Sequence, residues 1–162
     1  CFFVKEAVEY ESIRKFLSKR GYEEKDHLSF MEIAFPSFKS NKSVKVNLIG
    51  RDEIDTWCET YLLAFYGDND LSEPVLKSVK RALMDRKTRF MLARYKDLPV
   101  GTLALYETRR FSGAYCVGTI PKFRNIGIAS TMLEFAYSLS RKKGKKLVLQ
   151  TFISDSVESF YL

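Results

Sequence analysis

"PKFRNIGIAS" (121–130) is the stretch whose reading decides the fold. It places Arg124 three positions before Gly127 and five before Ala129, with Pro121 just upstream. Before it, "GAYCVGTI" (113–120) reads as a strand. After it, Ile128, Met132, Leu133, Phe135, Ala136 and Leu139 recur at helical spacing until Gly144. The stretch is therefore the entry loop of a helix that follows a strand. Backbone N–H groups at such an entry have no intrahelical acceptor and point outward with the positive end of the helix dipole, which makes an anion site. Gly127 and Ala129 keep that surface clear of side chains, and Arg124 adds charge at its rim. A plain tight turn with a solvated arginine accounts for the same residues. No Gly-Lys-Ser/Thr follows, so this is not a Walker loop, and without a first glycine pair it is not the dinucleotide fingerprint.

Working outward, "RFMLARY" (89–95) and "GTLALYETRR" (101–110) read as strands joined by a turn at "KDLPVG" (96–101). Ahead of them, "VKVNLIG" (44–50) alternates like a strand. "RDEIDTWCETYLLAFYG" (51–67) carries Ile54, Trp57, Cys58, Tyr61, Leu62 and Phe65 on one helical stripe, and a second helix runs from Ser72 to about Arg86. Downstream, "KKLVLQTF" (145–152) reads as a buried strand, and "SDSVESFYL" (154–162) starts a helix that Asp155 can cap with Glu158 reaching back. Upstream, "EYESIRKFLSKRGY" (9–22) sets Ile13, Phe16 and Leu17 on one helical face and stops at Gly21; the strand "LSFMEIAF" (28–35) follows. "PSFKSNKS" (36–43) is polar and aperiodic, a linker that divides a partial unit, residues 1–40, from a domain at 44–162.

"VGTIPKFRNIGIASTML" (117–133) resembles the acetyl-CoA-binding segment of the GNAT superfamily of N-acetyltransferases, whose signature is Q/R-x-x-G-x-G/A. Arg124, Gly127 and Ala129 hold the signature positions, with Thr119 where valine is usual. "KKLVLQTFISDSVESFYL" (145–162) is similar to the strand and helix that come next in such proteins, so the resemblance covers about residues 44–162. It implies an α/β fold: a GNAT-like twisted mixed β-sheet flanked by helices, in which the strand before the loop splays from its neighbour and pairs with the pantetheine arm. Carried over by position, Val117 and Thr119 would face the pantetheine, and Arg124, Asn125, Ile126, Gly127, Ile128 and Ala129 would cradle the pyrophosphate. Ser130 or Thr131 would add a hydroxyl, and Tyr161 would be the general acid that returns a proton to the departing thiolate. A phenol with a free pKa of about 10 suits that role, although at helical spacing from Val157 it also suits a core.

The general base is harder to place, because "GAYCVGTI" holds no acid where the family often has one. Glu107 is the nearest candidate in sequence, against a solvated strand residue. His27, the single histidine, reads as a surface or cap residue. Cys116 reads as inert packing rather than a nucleophile, since no histidine accompanies it. Three unpaired, widely spaced cysteines argue against a disulfide framework or a zinc knuckle and suit a reducing cytoplasm. No apolar run approaches the roughly 20 residues of a bilayer span.

The formal charge of +7 calls for an anionic partner: nucleic acid, an acidic surface or a phosphorylated cofactor. "RKKGKK" (141–146) is what a helix end followed by a glycine stop selects, so it does not by itself argue for nucleic acid. Finally, "SIRKFLSKRGY" (12–22) echoes "SVESFYL" (156–162): Ser12 falls on Ser156, Ile13 on Val157 and Phe16 on Phe160. That echo would make residues 1–40 the tail of a degenerate GNAT half in a tandem.

The expectation is thus an acetyl-CoA-dependent N-acetyltransferase that uses no metal and acts by direct attack of a primary amine, the acceptor being a small molecule or a protein. Two other classes stay open, a silent acyl-CoA-binding module of the same fold and, less favoured, a nucleic-acid-binding protein. A homodimer is also left open.

Overall fold

The middle of the chain sends apolar side chains to both faces of one sheet, and that sets the architecture. In the computed structural model, which describes residues 9–34, 37–68 and 72–155, the elements run α1 (Tyr10–Ser18), β1 (Leu28–Ile33), β2 (Val44–Leu48), α2 (Ile54–Phe65), α3 (Ser72–Leu83), β3 (Thr88–Tyr95), β4 (Leu98–Glu107), β5 (Phe111–Thr119), α4 (Ile128–Lys142) and β6 (Lys146–Phe152). The six strands form one sheet in the order β1-β6-β5-β4-β3-β2. Every neighbouring pair is antiparallel except β5 and β6, which α4 joins as a crossover.

Period-two alternation divides the core into two layers. Met91 and Ala93 of β3, with Leu103 and Leu105 of β4, point to the face covered by α4, where Ile128, Met132, Leu133 and Ala136 meet them. Phe90 and Leu92 of β3, with Ala104 of β4, point to the opposite face and pack on Ile54, Trp57 and Cys58 of α2 and Val79 of α3. Burial on both faces is why these strands read as near-continuous apolar runs. Gly101 brings β4 close under α4: a Cβ there would lie 2.9 Å from Ile128 Cγ2 and 3.0 Å from Met132 Cε.

The expected elements within the described residues form with shifted ends, β4 starting at Leu98 inside the expected turn, and the helix expected over 154–162 lies outside the described residues beyond Asp155. The helix predicted from Ser72 to Arg86 stops at Leu83, and the first residues of the 51–67 stretch, Arg51–Glu53, are a 3-10 turn. Helix α1 ends at Ser18, and the expected left-handed glycine follows in the turn beyond it: Gly21 has a φ of +79°, with the Tyr22 N–H bonded to the Leu17 carbonyl. Its apolar face joins neither core cluster of the described residues, however: no residue of α1 is buried, and Phe16 is 53% exposed under the Arg20 guanidinium.

The linker at 36–43 separates two stretches of sequence but not two sheets. Strand β1 pairs with β6 from Leu28↔Phe152 to Ile33↔Leu147, and its Met31 and Ile33 pack on the α4-side core. An exposed strand edge on β6 is thereby covered.

Trp57 ties α2 to the sheet: it is 1% exposed, its Nε1 donates to the Met91 carbonyl at 2.9 Å, and its ring meets Phe90 edge-on at 4.8 Å. Trp57→Phe removes that buried hydrogen bond and leaves the shortened ring's space unfilled, so the variant should lose about 1–3 kcal/mol, read from its urea midpoint at unchanged slope.

Candidate functional site

Strands β5 and β6 begin as partners and then part. They pair from Phe111↔Lys146 to Ala114↔Leu149; beyond that point β5 continues along β4 to Thr119, and β6 continues along β1 to Phe152. A bulge accompanies the parting. Tyr115 faces Ala104 and Gly118 faces Thr102, which leaves one extra residue on β5, and Cys116 there takes a left-handed φ of +52°. Thr102 Oγ1 donates to the Cys116 carbonyl at 3.1 Å and braces it. Such a conformation at a residue other than glycine is strained and marks functional sites more often than chance. The parting opens a groove of about 1380 Å³ whose walls include residues 114–119 and 149–152.

The loop 121–130 closes one end of this groove. Pro121–Phe123 form a 3-10 turn, and left-handed residues at Asn125 (φ +64°) and Gly127 (φ +83°) swing the chain into α4. The first intrahelical bond is Thr131 N–H to the Gly127 carbonyl at 3.0 Å, so the amides of Ile128, Ala129 and Ser130 have no intrahelical acceptor. Among the described residues no side chain caps the helix.

Of the residues singled out in the sequence, Val117, Thr119, Arg124, Asn125, Ile126, Gly127, Ile128, Ala129 and Ser130 all line the groove. Ile128 is 2% exposed, with its side chain in the core, so it offers the groove mainly backbone. Thr119 Oγ1 is buried without a partner among the described residues. Arg124 is less a rim charge than a staple: Nε donates to the Thr119 carbonyl at 3.1 Å, and Nη2 to the Ala64 carbonyl in the last turn of α2 at 3.0 Å. Thr131 lies one step inside the helix, where its hydroxyl donates to the Gly127 carbonyl (2.8 Å) and accepts from the Asn41 N–H (2.9 Å). Gly127 is small for a reason besides the one expected. A Cβ there would stand 2.7 Å from the Lys39 carbonyl and 3.3 Å from Asn41, so the glycine makes room for chain as well as supplying its left-handed φ.

Glu107 is not brought to the groove. It sits at the far end of β4, opposite Ser112 at the start of β5, among Lys143 (2.7 Å), Lys145 (2.9 Å) and Arg89 (3.3 Å). Tyr161 and Glu158 lie outside the described residues. His27 is a surface residue paired with Glu24. Burial pushes the Cys116 thiol up, and the Cys58 thiol up to about 11, so neither is a ready thiolate. Among the described residues no cluster of His, Cys, Asp or Glu could hold a metal, and no helix is long and apolar enough to cross a membrane.

Sequence reasoning missed other walls of the groove: Lys39 and Lys42 from the linker, Tyr61 and Phe65 from α2, and Asp155, read as a helix cap. Tyr61 and Phe65 belonged to a helical stripe that looked like core. Burial, then the Tyr66 hydroxyl, push the Tyr61 phenol well above its usual range.

No protein-family profile and no curated protein matches the sequence, whereas solved structures match the fold. A conserved Staphylococcus epidermidis protein of unknown function is 15% identical over 99% of this chain and 64% of its own length, with a TM-score of 0.64. A GNAT family acetyltransferase from Staphylococcus aureus is 11% identical over 66% of this chain and 84% of its own, at 0.55. A predicted acetyltransferase from Clostridium acetobutylicum, solved with acetyl-CoA, is 13% identical over 65% of this chain and 79% of its own, at 0.52. The chain spans only 41% of the length of a provisionally assigned acetyltransferase from Pyrococcus horikoshii, which it matches at a TM-score of 0.58 and 17% identity over 70% of this chain. The mixed sheet with its flanking helices is the GNAT fold.

Gly127→Ala should cost about 1–2 kcal/mol from its left-handed backbone alone, and more as the Lys39 carbonyl is displaced; denaturant unfolding measures this. For Glu107, burial raises the carboxyl pKa, but hydrogen bonds from Lys143 and Lys145 and the charges of Lys143 and Arg89 outweigh it and hold the group below the ordinary carboxylate range. A folded value below the unfolded one means that the stability contributed at neutral pH is lost as pH falls through the folded value. Glu107→Gln should therefore be less stable than the parent at pH 7, with the gap closing below about pH 4 in urea titrations across pH.

Proposed function

We propose that this chain, folded as the GNAT acetyltransferases are, is an N-acetyltransferase that moves an acetyl group from acetyl-CoA to a primary amine by direct attack. The observation that carries this reading is the parting of β5 from β6 beside three amides at the start of α4 that no side chain among the described residues caps. A free strand edge suits the amide-bearing pantetheine arm, and uncapped helix amides suit a pyrophosphate. Val117 and Thr119 would face the arm, the second offering an otherwise unpartnered hydroxyl. Residues 124–130 would hold the phosphates through backbone amides, with Arg124 fixing the loop and Thr131 bracing the Gly127 carbonyl.

Acetyl-CoA supplies the acyl group as a thioester. The neutral amine nitrogen bonds to the carbonyl carbon and releases one proton to solvent water, the carbon–sulfur bond breaks, and the sulfur takes up a proton. Tyr161 is the residue proposed to give that proton. Asp155, the carboxylate among the described residues that lines the groove, would draw a cationic amine toward it. Glu107 is set aside as the base, since three cations hold it elsewhere.

Acetyl-CoA at 100 times its Kd should add about 2.7 kcal/mol of stability by mass action; no melting shift with saturating coenzyme would overturn the proposal. A free-thiol release assay across protein N-termini, lysine, polyamines, aminoglycosides and amino acids would then find the acceptor, while binding without turnover on any amine would mark a silent acyl-CoA module. Tyr161→Phe should lower kcat by about 10²-fold or more with little change in acetyl-CoA affinity.

A further inference from the structure

The polar segment 39–42, which the sequence marks only as a linker, is fastened across the mouth of the groove. Phe38 packs edge-on against Tyr137 of α4 at 6.0 Å between ring centres, and at the other end the Val44 N–H bonds to the Asn41 carbonyl at 3.0 Å. Between them, Asn41 grips the loop from two sides: its Nδ2 donates to the Ile126 carbonyl at 2.8 Å and its backbone N–H donates to Thr131 Oγ1 at 2.9 Å. The Asn41 Oδ1 accepts from the Ser43 N–H at 2.9 Å, which sets the amide's orientation. Gly127 is the residue whose missing side chain lets this strap lie so close.

Lys39 and Lys42 flank Asn41, and both line the groove and are exposed. Among the described residues neither has an ion-pair partner. Arg124, the third lining cation, already has two donors committed to the Thr119 and Ala64 carbonyls. The lysines free to meet an anion at the entrance of α4 therefore come from the strap and not from the signature loop.

We infer that residues 39–42 are part of the coenzyme site, with Lys39 and Lys42 contacting the phosphates of CoA and Asn41 acting as a positioning residue that holds both the strap and the loop. This inference rests on the proposed acetyl-CoA reading of the groove. It gives the linker a role in specificity, because a strap lysine distinguishes a phosphorylated acyl carrier from a bare pantetheine thioester.

The experiment measures calorimetric affinity of the parent, Lys39→Gln, Lys42→Gln and the double variant for CoA and, in parallel, for acetyl-pantetheine, which has no phosphate. Both side chains are exposed, so melting temperatures should match the parent's. CoA affinity should fall about tenfold per lysine and its salt dependence should become shallower, while acetyl-pantetheine affinity stays unchanged. CoA affinity equal to the parent's in the double variant would overturn the strap's role and leave the groove assignment standing. An equal loss for both ligands would also overturn it, by showing that the lysines act through structure. No CoA binding by the parent itself would instead sink the reading of the groove.

Discussion

The site depends on one interruption of hydrogen bonding: the loss of β5–β6 pairing after Ala114↔Leu149. Two adjacent parallel strands would ordinarily stay in register and leave no space between them. Here each keeps its other neighbour, β4 for one and β1 for the other, so the sheet remains continuous while its middle opens. The extra residue at Cys116 bends β5 at that place, and the Thr102 hydroxyl holds the bend from below. Helix α4 then starts beyond the end of β5, and among the described residues no side chain caps its first amides.

Much of this was legible in the sequence for physical reasons. The β3 and β4 runs and the α4 stripe follow from periodicity, because side chains buried on two faces of a strand or one face of a helix must repeat at 2.0 or 3.6 residues. The loop around Gly127 could be read because a left-handed residue and uncapped amides need small side chains nearby. What could not be read was which groups meet across the chain. Arg124 was expected to face an anion, yet its geometry is set by carbonyls at positions 64 and 119, and local spacing carries no information about them. Gly127 was expected to clear space for a ligand; it also clears space for residues 39 and 41. The linker looked like a boundary because it is polar and aperiodic, and a strap held by single hydrogen bonds leaves no periodic trace.

Charge shows the same division between composition and placement. The "RKKGKK" run ends α4 at Gly144 with a φ of +63°, as a helix stop requires. Yet Lys143 and Lys145 turn back to surround Glu107, whose side chain is 11% exposed, and Lys146 reaches Glu32 on β1. These cations tie the end of β4 and the edge strand to the start of β6. Three of the cations in a run that looks available to a nucleic acid are engaged by carboxylates of the fold, and among the groove's cations the uncommitted charge lies on a segment about 100 residues earlier.

The pairing of Leu28 with Phe152 also has a kinetic consequence. Contacts between residues so far apart in the chain close a large loop and form late in folding. On a ribosome, β1 (Leu28–Ile33) is synthesised more than 100 residues before its sheet partner β6 (Lys146–Phe152). The edge of the groove formed by β6 thus cannot be ordered against β1 before residues 146–152 have been made, and a nascent chain released before β6 would lack the partner that β1 has in the sheet.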